Sequence, residues 1–294
     1  MKKALLIYWL TIAAVWSPLP SRAQVPFPYP EIPASMEDGQ TRLAYVLDHF
    51  WDAYSFADTT TVNRQLGEQG MADYLNLLPH AEDPAVQQRA VRDFVGRAFA
   101  TGADANYFEE LLDRYLAHSG SPQRNEELYV LFLQRMADAL PGDDVRAERF
   151  RQQVRLLTMN RKGEQATDFR YVTRTGEHHH LTEVSAPYTL LVFSDPDCHH
   201  CRATLPGLIA SETLRDSRLR VLLVYPDDDA ARWERETREL PPNWSDVRSP
   251  EGEVLHRPLY HLPSLPALYL LDSDKRILVK DGTLEEVERM MVRE

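Results

Sequence analysis

Cysteine is scarce. The chain of 294 residues holds two, Cys198 and Cys201, so a scaffold of structural disulfides is excluded and one intramolecular bridge is the most it can form. Basic residues are outnumbered, 33 Lys and Arg against 45 Asp and Glu, giving a formal net charge of -12. No stripe of Lys and Arg interleaved with aromatics is available to follow a phosphate backbone, which argues against nucleic acid as a partner. A membrane-spanning run is missing as well: the apolar stretch Ala4 to Trp16 has about thirteen residues, short of the roughly twenty that a spanning helix needs. What is present is an ordinary globular composition, 43% apolar and 27% charged, in a length that suggests about two domains.

The N-terminus has the form of a cleavable secretory signal over residues 1–23. Lys2 and Lys3 form a basic start, the apolar run follows, and Ser21-Arg22-Ala23 places small residues where a signal peptidase reads. No cysteine follows the run, so a lipoprotein anchor is not expected. The expectation is an exported protein of the periplasm or cell envelope, with no stable membrane insertion after cleavage. Residues 24–40 form a Pro-rich linker in which Pro26, Pro28, Pro30 and Pro33 favour an extended chain. A spacer is the simpler reading and a docking arm the other.

From Thr41 to about 158 the periodicity is helical. Leu43, Val46, Leu47, Phe50 and Tyr54 recur at helical spacing, as do Val91, Phe94, Val95, Ala98 and Phe99 after an Asp83-Pro84 start. Breaks at Pro79, Gly102, Ser119 to Pro122 and Pro141-Gly142 divide an all-α domain into five or six helices. No fixed-period repeat is present, and the aromatics around Trp51 read as packing.

From 160 to 294 the order becomes α/β. Tyr188 to Phe193 and Leu219 to Tyr225 are continuous apolar runs suited to strands buried on both faces. The spacing predicts a helix from His199, a charged helix over Asp228 to Leu240, and a hairpin of Ala267 to Leu271 with Ile277 to Lys280. Thr283-Leu284-Glu285-Glu286 has the form of a capping box that starts a C-terminal helix.

The chemistry concentrates at Ser194-Asp195-Pro196-Asp197-Cys198-His199-His200-Cys201, where a buried strand passes into a helix. Unpaired N–H groups and the positive dipole end of the helix stabilise a thiolate at Cys198, and Cys201 lies one turn further on, close enough to resolve a mixed disulfide. A structural disulfide across so short a loop restrains little chain entropy. Zinc on four consecutive Cys, His, His and Cys positions is sterically awkward. Inert buried thiols leave unexplained why both cysteines fall on one turn, so redox work is the favoured reading.

These residues resemble the thioredoxin superfamily, and more narrowly its exported TlpA-like and ResA-like thiol-disulfide oxidoreductases. The resemblance rests on the strand before Cys198, on Pro206 five residues after Cys201 where the active-site helix kinks, and on Leu265-Pro266 just before an apolar strand, the place of the family's cis-proline. Tyr260-His261-Leu262 and the entry segment with Gly163, Ala166, Asp168 and Phe169 extend it over 160–294. It implies a central mixed sheet flanked by helices, Cys198 as attacking and Cys201 as resolving thiol, and Leu265 and Pro266 as the place where an extended substrate segment pairs. It also implies a redox-active Cys198–Cys201 disulfide with no other cofactor or metal. Protein thiols and disulfides would be the substrates, with an envelope electron donor or acceptor as partner. The helical domain, through Arg42 and Leu47 to Trp51, resembles an uncharacterised domain often fused to such proteins.

The departures are informative. Asp197 replaces the usual tryptophan, His199-His200 fills the dipeptide, Val192 stands where a buried acid is usual, and Thr204 stands where ResA-like proteins place a carboxylate. Neither usual proton acceptor for Cys201 is therefore at its position. His199 and His200, by resemblance to strongly oxidising Cys-Pro-His-Cys members, would raise the potential, against Asp195 and Asp197. His178-His179-His180 reads as an exposed turn with metal binding second, and Asp227-Asp228-Asp229 as a helix cap. The alternatives to an oxidoreductase are a copper or zinc carrier using the same pair and a redox-silent adaptor.

Overall fold

The computed structural model describes residues 26–292 apart from 101, 103, 119, 237 and 238; the expected signal segment lies outside them. The chain forms two compact units, one ending at Leu111 and one running from Leu112 to Glu294.

The first unit is helical: α1 (Gly39–His49), α2 (Thr61–Leu77), α3 (Pro84–Ala100) and most of α4 (Ala105–Leu112). Asp38 caps α1 by accepting the Thr41 N–H at 2.7 Å, and Thr60 caps α2. Asp83 and Pro84 start α3 as expected, with Asp83 accepting the Ala85 N–H at 2.9 Å. The predicted stripes face inward, and Phe50, Trp51, Tyr54, Phe94 and Phe108 interlock ring on ring at centroid distances of 5.1–5.9 Å. The Pro-rich lead is no free spacer at this point, because Phe27 is 2% exposed and stacks on Phe50 at 5.1 Å. Gly70 makes the room: a Cβ there would lie 2.3 Å from the Phe27 ring.

The second unit opens with a π-helical turn, Asp113–Ala117, and the helices α5 (Glu126–Ala139) and α6 (Val145–Leu157). The sheet comprises β1 (Arg170–Thr173), β2 (His178–His180), β3 (Tyr188–Phe193), β4 (Leu219–Tyr225), β5 (Trp244–Arg248), β6 (Ala267–Leu271) and β7 (Ile277–Val279), in the order β2-β1-β5-β4-β3-β6-β7. β3, β4 and β5 are parallel, and the other pairs are antiparallel, so the sheet is mixed. Helices α7 (His199–Ala210), α8 (Ala230–Arg235), α9 (Glu253–His256) and α10 (Leu284–Val292) complete it. One face buries Leu191, Phe193, Val224 and Tyr269 with Phe169 and Tyr260; the other buries Val192, Leu223 and Leu268 with Leu205 and Leu208 of α7 and Val287 of α10. This is an all-α region followed by a thioredoxin-like α/β fold.

α5 belongs to the same compact unit as the sheet through buried charge. Lys280, 7% exposed, donates to Glu126 Oε1 at 2.6 Å and to the Leu157 carbonyl, and Arg124 holds Asp281 Oδ2 at 2.7 Å. The capping box is present, with Thr283 N–H on Glu286 Oε2 at 2.9 Å and Glu286 N–H on Thr283 Oγ1 at 3.2 Å. Two expectations are corrected. The charged helix expected over Asp228 to Leu240 is only Ala230–Arg235, because Glu236 turns extended and its carbonyl accepts from Arg174. The triple histidine is not a turn but the edge strand β2, with His180 on Asp168 at 2.8 Å and His179 near Glu183 at 3.3 Å.

Candidate functional site

β3 delivers the chain to the cysteine pair and the loop before α7 is fixed by its own backbone. Asp195 Oδ1 accepts the Asp197 N–H at 2.7 Å, and the Asp195 carbonyl accepts the Cys198 N–H at 3.1 Å. This turn sets Cys198 at the N-cap of α7, with φ -70° and ψ 118°, outside the helical region. Its sulfur takes the place of a capping oxygen and accepts the Cys201 N–H at 3.2 Å. That bond stabilises a thiolate on Cys198, as the sequence position implies.

Both thiols are free, and they differ in surroundings. Cys198 is half-buried, whereas Cys201 is 1% exposed. Burial pushes the Cys201 thiol up to about 11, with the adjacent Cys198 sulfur adding to the effect; the nearby Asp195 backbone and Ser194 side chain oppose it.

Leu265-Pro266 has the expected cis peptide bond. The antiparallel register pairs Phe193 with Ala267, which brings Pro266 beside the end of β3, and the Leu265 carbonyl lies 3.5 Å from the Cys198 sulfur. The approach to this loop is held by two buried tyrosines. Tyr269 donates to the His261 carbonyl at 2.7 Å, and Tyr260 donates to the Thr167 carbonyl at 2.6 Å. Burial, then the charges of Lys280 and Arg124, hold the His261 imidazole below its usual pKa.

Pro206 lies inside α7, where it removes the N–H that the Arg202 carbonyl would otherwise accept. His199 and His200 are exposed on the first turn. Among the described residues, no three His, Cys, Asp or Glu side chains come together as a group that could hold a metal ion. Val192 is packed in the apolar cluster, so the usual acid position is indeed apolar.

Sequence reasoning missed Arg232. From α8 it reaches Asp197 Oδ2 at 2.6 Å and lies 3.6 Å from Asp195, so the two acids flanking the site share a cation. The acidic triplet Asp227 to Asp229 was the available signal: Asp229 caps α8 by accepting the Arg232 N–H at 2.9 Å, which fixes where that arginine begins.

Comparison with known proteins agrees with this geometry. Residues 11–160 match the family model described as a domain of unknown function, DUF5106. The crystal structure of a thioredoxin-like protein from Bacteroides caccae is 31% identical, with a TM-score of 0.79 over 91% of this chain and 98% of that one. The C-terminal domain of an uncharacterized Bacteroides fragilis protein is 34% identical over 45% of this chain and 98% of its own, with a TM-score of 0.43. A domain of a possible thiol-disulfide isomerase from Cytophaga hutchinsonii is 25% identical over 46% and 94%, with a TM-score of 0.40. No curated protein matches the chain. The chain belongs to the DUF5106 family and is a thioredoxin-like protein.

Proposed function

We propose that this protein is an exported thiol-disulfide oxidoreductase acting on protein thiols and disulfides. The observation that carries the reading is the asymmetry of the pair: Cys198 is partly accessible, accepts an N–H at its sulfur and lies against the Leu265 carbonyl, while Cys201 is buried behind it with a raised pKa. The outer thiol is placed to attack and the inner one to wait.

In the oxidising direction for the substrate, the chain enters as the Cys198–Cys201 disulfide. A substrate thiolate attacks the Cys198 sulfur, the bond to Cys201 breaks, and Cys201 leaves as a thiolate that takes up a proton. A second substrate thiol then attacks its own partner sulfur and Cys198 departs, so two substrate thiols become one disulfide and the protein carries two thiols. Reduction of a substrate disulfide is the reverse. An extended substrate segment would align with the Leu265 backbone by strand addition.

Arg232 offsets part of the negative charge of Asp195 and Asp197, and an imidazolium at His199 or His200 would stabilise a Cys198 thiolate, which supports a potential above that of a Cys-Gly-Pro-Cys protein. The signal-like N-terminus supports a location in the periplasm or cell envelope. Among the described residues no helix is long and apolar enough to cross a membrane.

An insulin-reduction assay with a thiol reductant tests the reading. Wild type should accelerate turbidity, and Cys198→Ser and Cys201→Ser should not; inactivity of the wild type, or metal retained through purification on the cysteine pair, would reject it in favour of a carrier.

A further inference from the structure

A cavity of about 220 Å³ lies against the loop that presents Leu265 to Cys198. Its wall comes from the π-helical turn, from the start of α5 and the end of α6, and from His261 and Pro263 of the loop itself, with Asp281 after β7. The bonds that hold the loop also hold this wall: Tyr269 donates to the His261 carbonyl at 2.7 Å, Lys280 to Glu126 Oε1 at 2.6 Å, and Arg124 to Asp281 Oδ2 at 2.7 Å. Two residues of chain span at most about 7 Å and four at most about 14 Å, so Pro263 and His261 lie within those distances of Leu265. A substrate segment extended beside Leu265, with its own cysteine at Cys198, covers the same span in two to four residues.

The cavity is smaller than the roughly 300–1,000 Å³ of sites for whole small molecules, so its occupant is of side-chain size. Leu116, Leu156, Leu157 and Pro263 give it an apolar wall, which suits a methylene stem. Its polar groups leave negative charge over. Asp113, Glu126 and Asp281 line it against one guanidinium, that of Arg124. Arg124 is tied to Asp281 and the buried Lys280 to Glu126, whereas Asp113 is exposed, accepts the Tyr129 hydroxyl at 3.2 Å and forms no ion pair among the described residues. The His261 imidazole, kept neutral by burial and by the Lys280 and Arg124 charges, offers one acceptor nitrogen. A basic group balances this wall, an acidic one adds to its excess, and the formal net charge of -12 draws basic chains towards the protein.

We propose that this cavity receives a lysine or arginine side chain of the substrate protein, two to four residues from the cysteine being exchanged, with its stem on the leucines and its charge at Asp113. The inference rests on the thiol-disulfide reading and adds the class of substrate to it: extended segments with a basic residue near the reactive cysteine. Asp113 selects the segment and takes no part in making or breaking the disulfide.

The test reacts reduced full-length protein with nonapeptides whose central cysteine is joined by a disulfide to a nitrobenzoate thiol, and follows release of the coloured thiolate. Lysine, norleucine or glutamate stands two or four residues from the cysteine, on either side, in an otherwise uncharged sequence. Each rate constant is divided by that of the same peptide with dithiothreitol, which removes differences in intrinsic reactivity. Lysine should exceed norleucine by about 3- to 10-fold at one of these positions, with glutamate slowest. Asp113→Lys should reverse that order, and Asp113→Asn should bring lysine close to norleucine. Asp143→Asn removes the same charge beyond the far end of α5, roughly 20 Å away, and should keep the preference. One rate for all three peptides, or norleucine level with or ahead of lysine, overturns the assignment of a basic side chain. A lysine preference that Asp113→Asn and Asp143→Asn lower equally, or that neither lowers, overturns it too. A wild type that releases no more thiolate than Cys198→Ser overturns the thiol-disulfide reading and the assignment with it.

Discussion

The unit ending at Leu111 and the unit from Leu112 onward both bury clusters of aromatic rings, but the rings have different work to do. In the first, Phe27, Phe50, Trp51, Tyr54, Phe94 and Phe108 pack on one another, and Trp51 leaves its indole N–H without a partner. In the second, Phe169, Phe193, Tyr260 and Tyr269 pack as closely, with Tyr260 and Tyr269 at 5.2 Å. Ring hydroxyls reach backbone carbonyls in both, Tyr54 to Asn63 in the first and Tyr260 and Tyr269 in the second, but only in the second does one of them hold the loop that leads into Leu265-Pro266. The first cluster contributes burial; the second also orients the loop beside the Cys198 sulfur.

The comparison breaks if a core change in the first unit alters exchange chemistry. Phe94→Ala should cost about 3–5 kcal/mol of stability in urea unfolding, as truncation of a buried aromatic does, and leave the rate of thiol-disulfide exchange unchanged where the protein remains folded. A slowed exchange in that variant would contradict the division of labour.

Lys280→Ala should cost about 3 kcal/mol, because it leaves Glu126 and the Leu157 carbonyl without their buried cation. Its larger use concerns the extent of the second unit. A fragment of residues 159–294 lacks α5 and α6 and exposes Lys280 and Asp281, so it should unfold at lower urea than a fragment of 112–294; equal midpoints would show that the helices add nothing.

The raised Cys201 thiol gives a pH effect of intermediate size. Its folded-state pKa of about 11 lies above the ordinary thiol value of 9.0, so between those values the unfolded chain holds fewer protons and stability of the reduced protein falls as pH rises. The loss should be on the order of 1–2 kcal/mol by pH 11 and should disappear in Cys201→Ser, as unfolding curves at pH 8 and above would show.

Tyr269→Phe is the smallest change and the most pointed. Removing one hydroxyl should cost about 1 kcal/mol, yet it frees the His261 carbonyl and should slow exchange with a protein substrate more than with a small disulfide. Equal slowing of both would place the effect on the sulfurs rather than on the Leu265-Pro266 loop.

Much of this site was legible in the sequence where local physics decides it. β3 and β4 are continuous apolar runs, the helix at His199 begins where a capping sulfur can sit, Leu265-Pro266 abuts an apolar strand, and Thr283 and Glu286 satisfy each other's N–H groups. What was not legible depends on partners far along the chain. β5 carries Ser245 and Asp246 among its five residues, a poor strand pattern that holds because Trp233 and Arg174 satisfy the carboxylate. The Pro-rich lead gave no sign of its place until Gly70 opened a slot for Phe27. Arg232 lies outside the motif it neutralises by thirty-one positions from Cys201, and no local pattern ties it to Asp197.

The central claim is that Cys198 attacks and Cys201 resolves. Full-length Cys201→Ser, expressed in cells and alkylated on lysis, tests it most directly on non-reducing gels. The account predicts reductant-sensitive adducts to other proteins joined at Cys198, absent from Cys198→Ser. Adducts of equal abundance in Cys198→Ser, or none in Cys201→Ser, would contradict it.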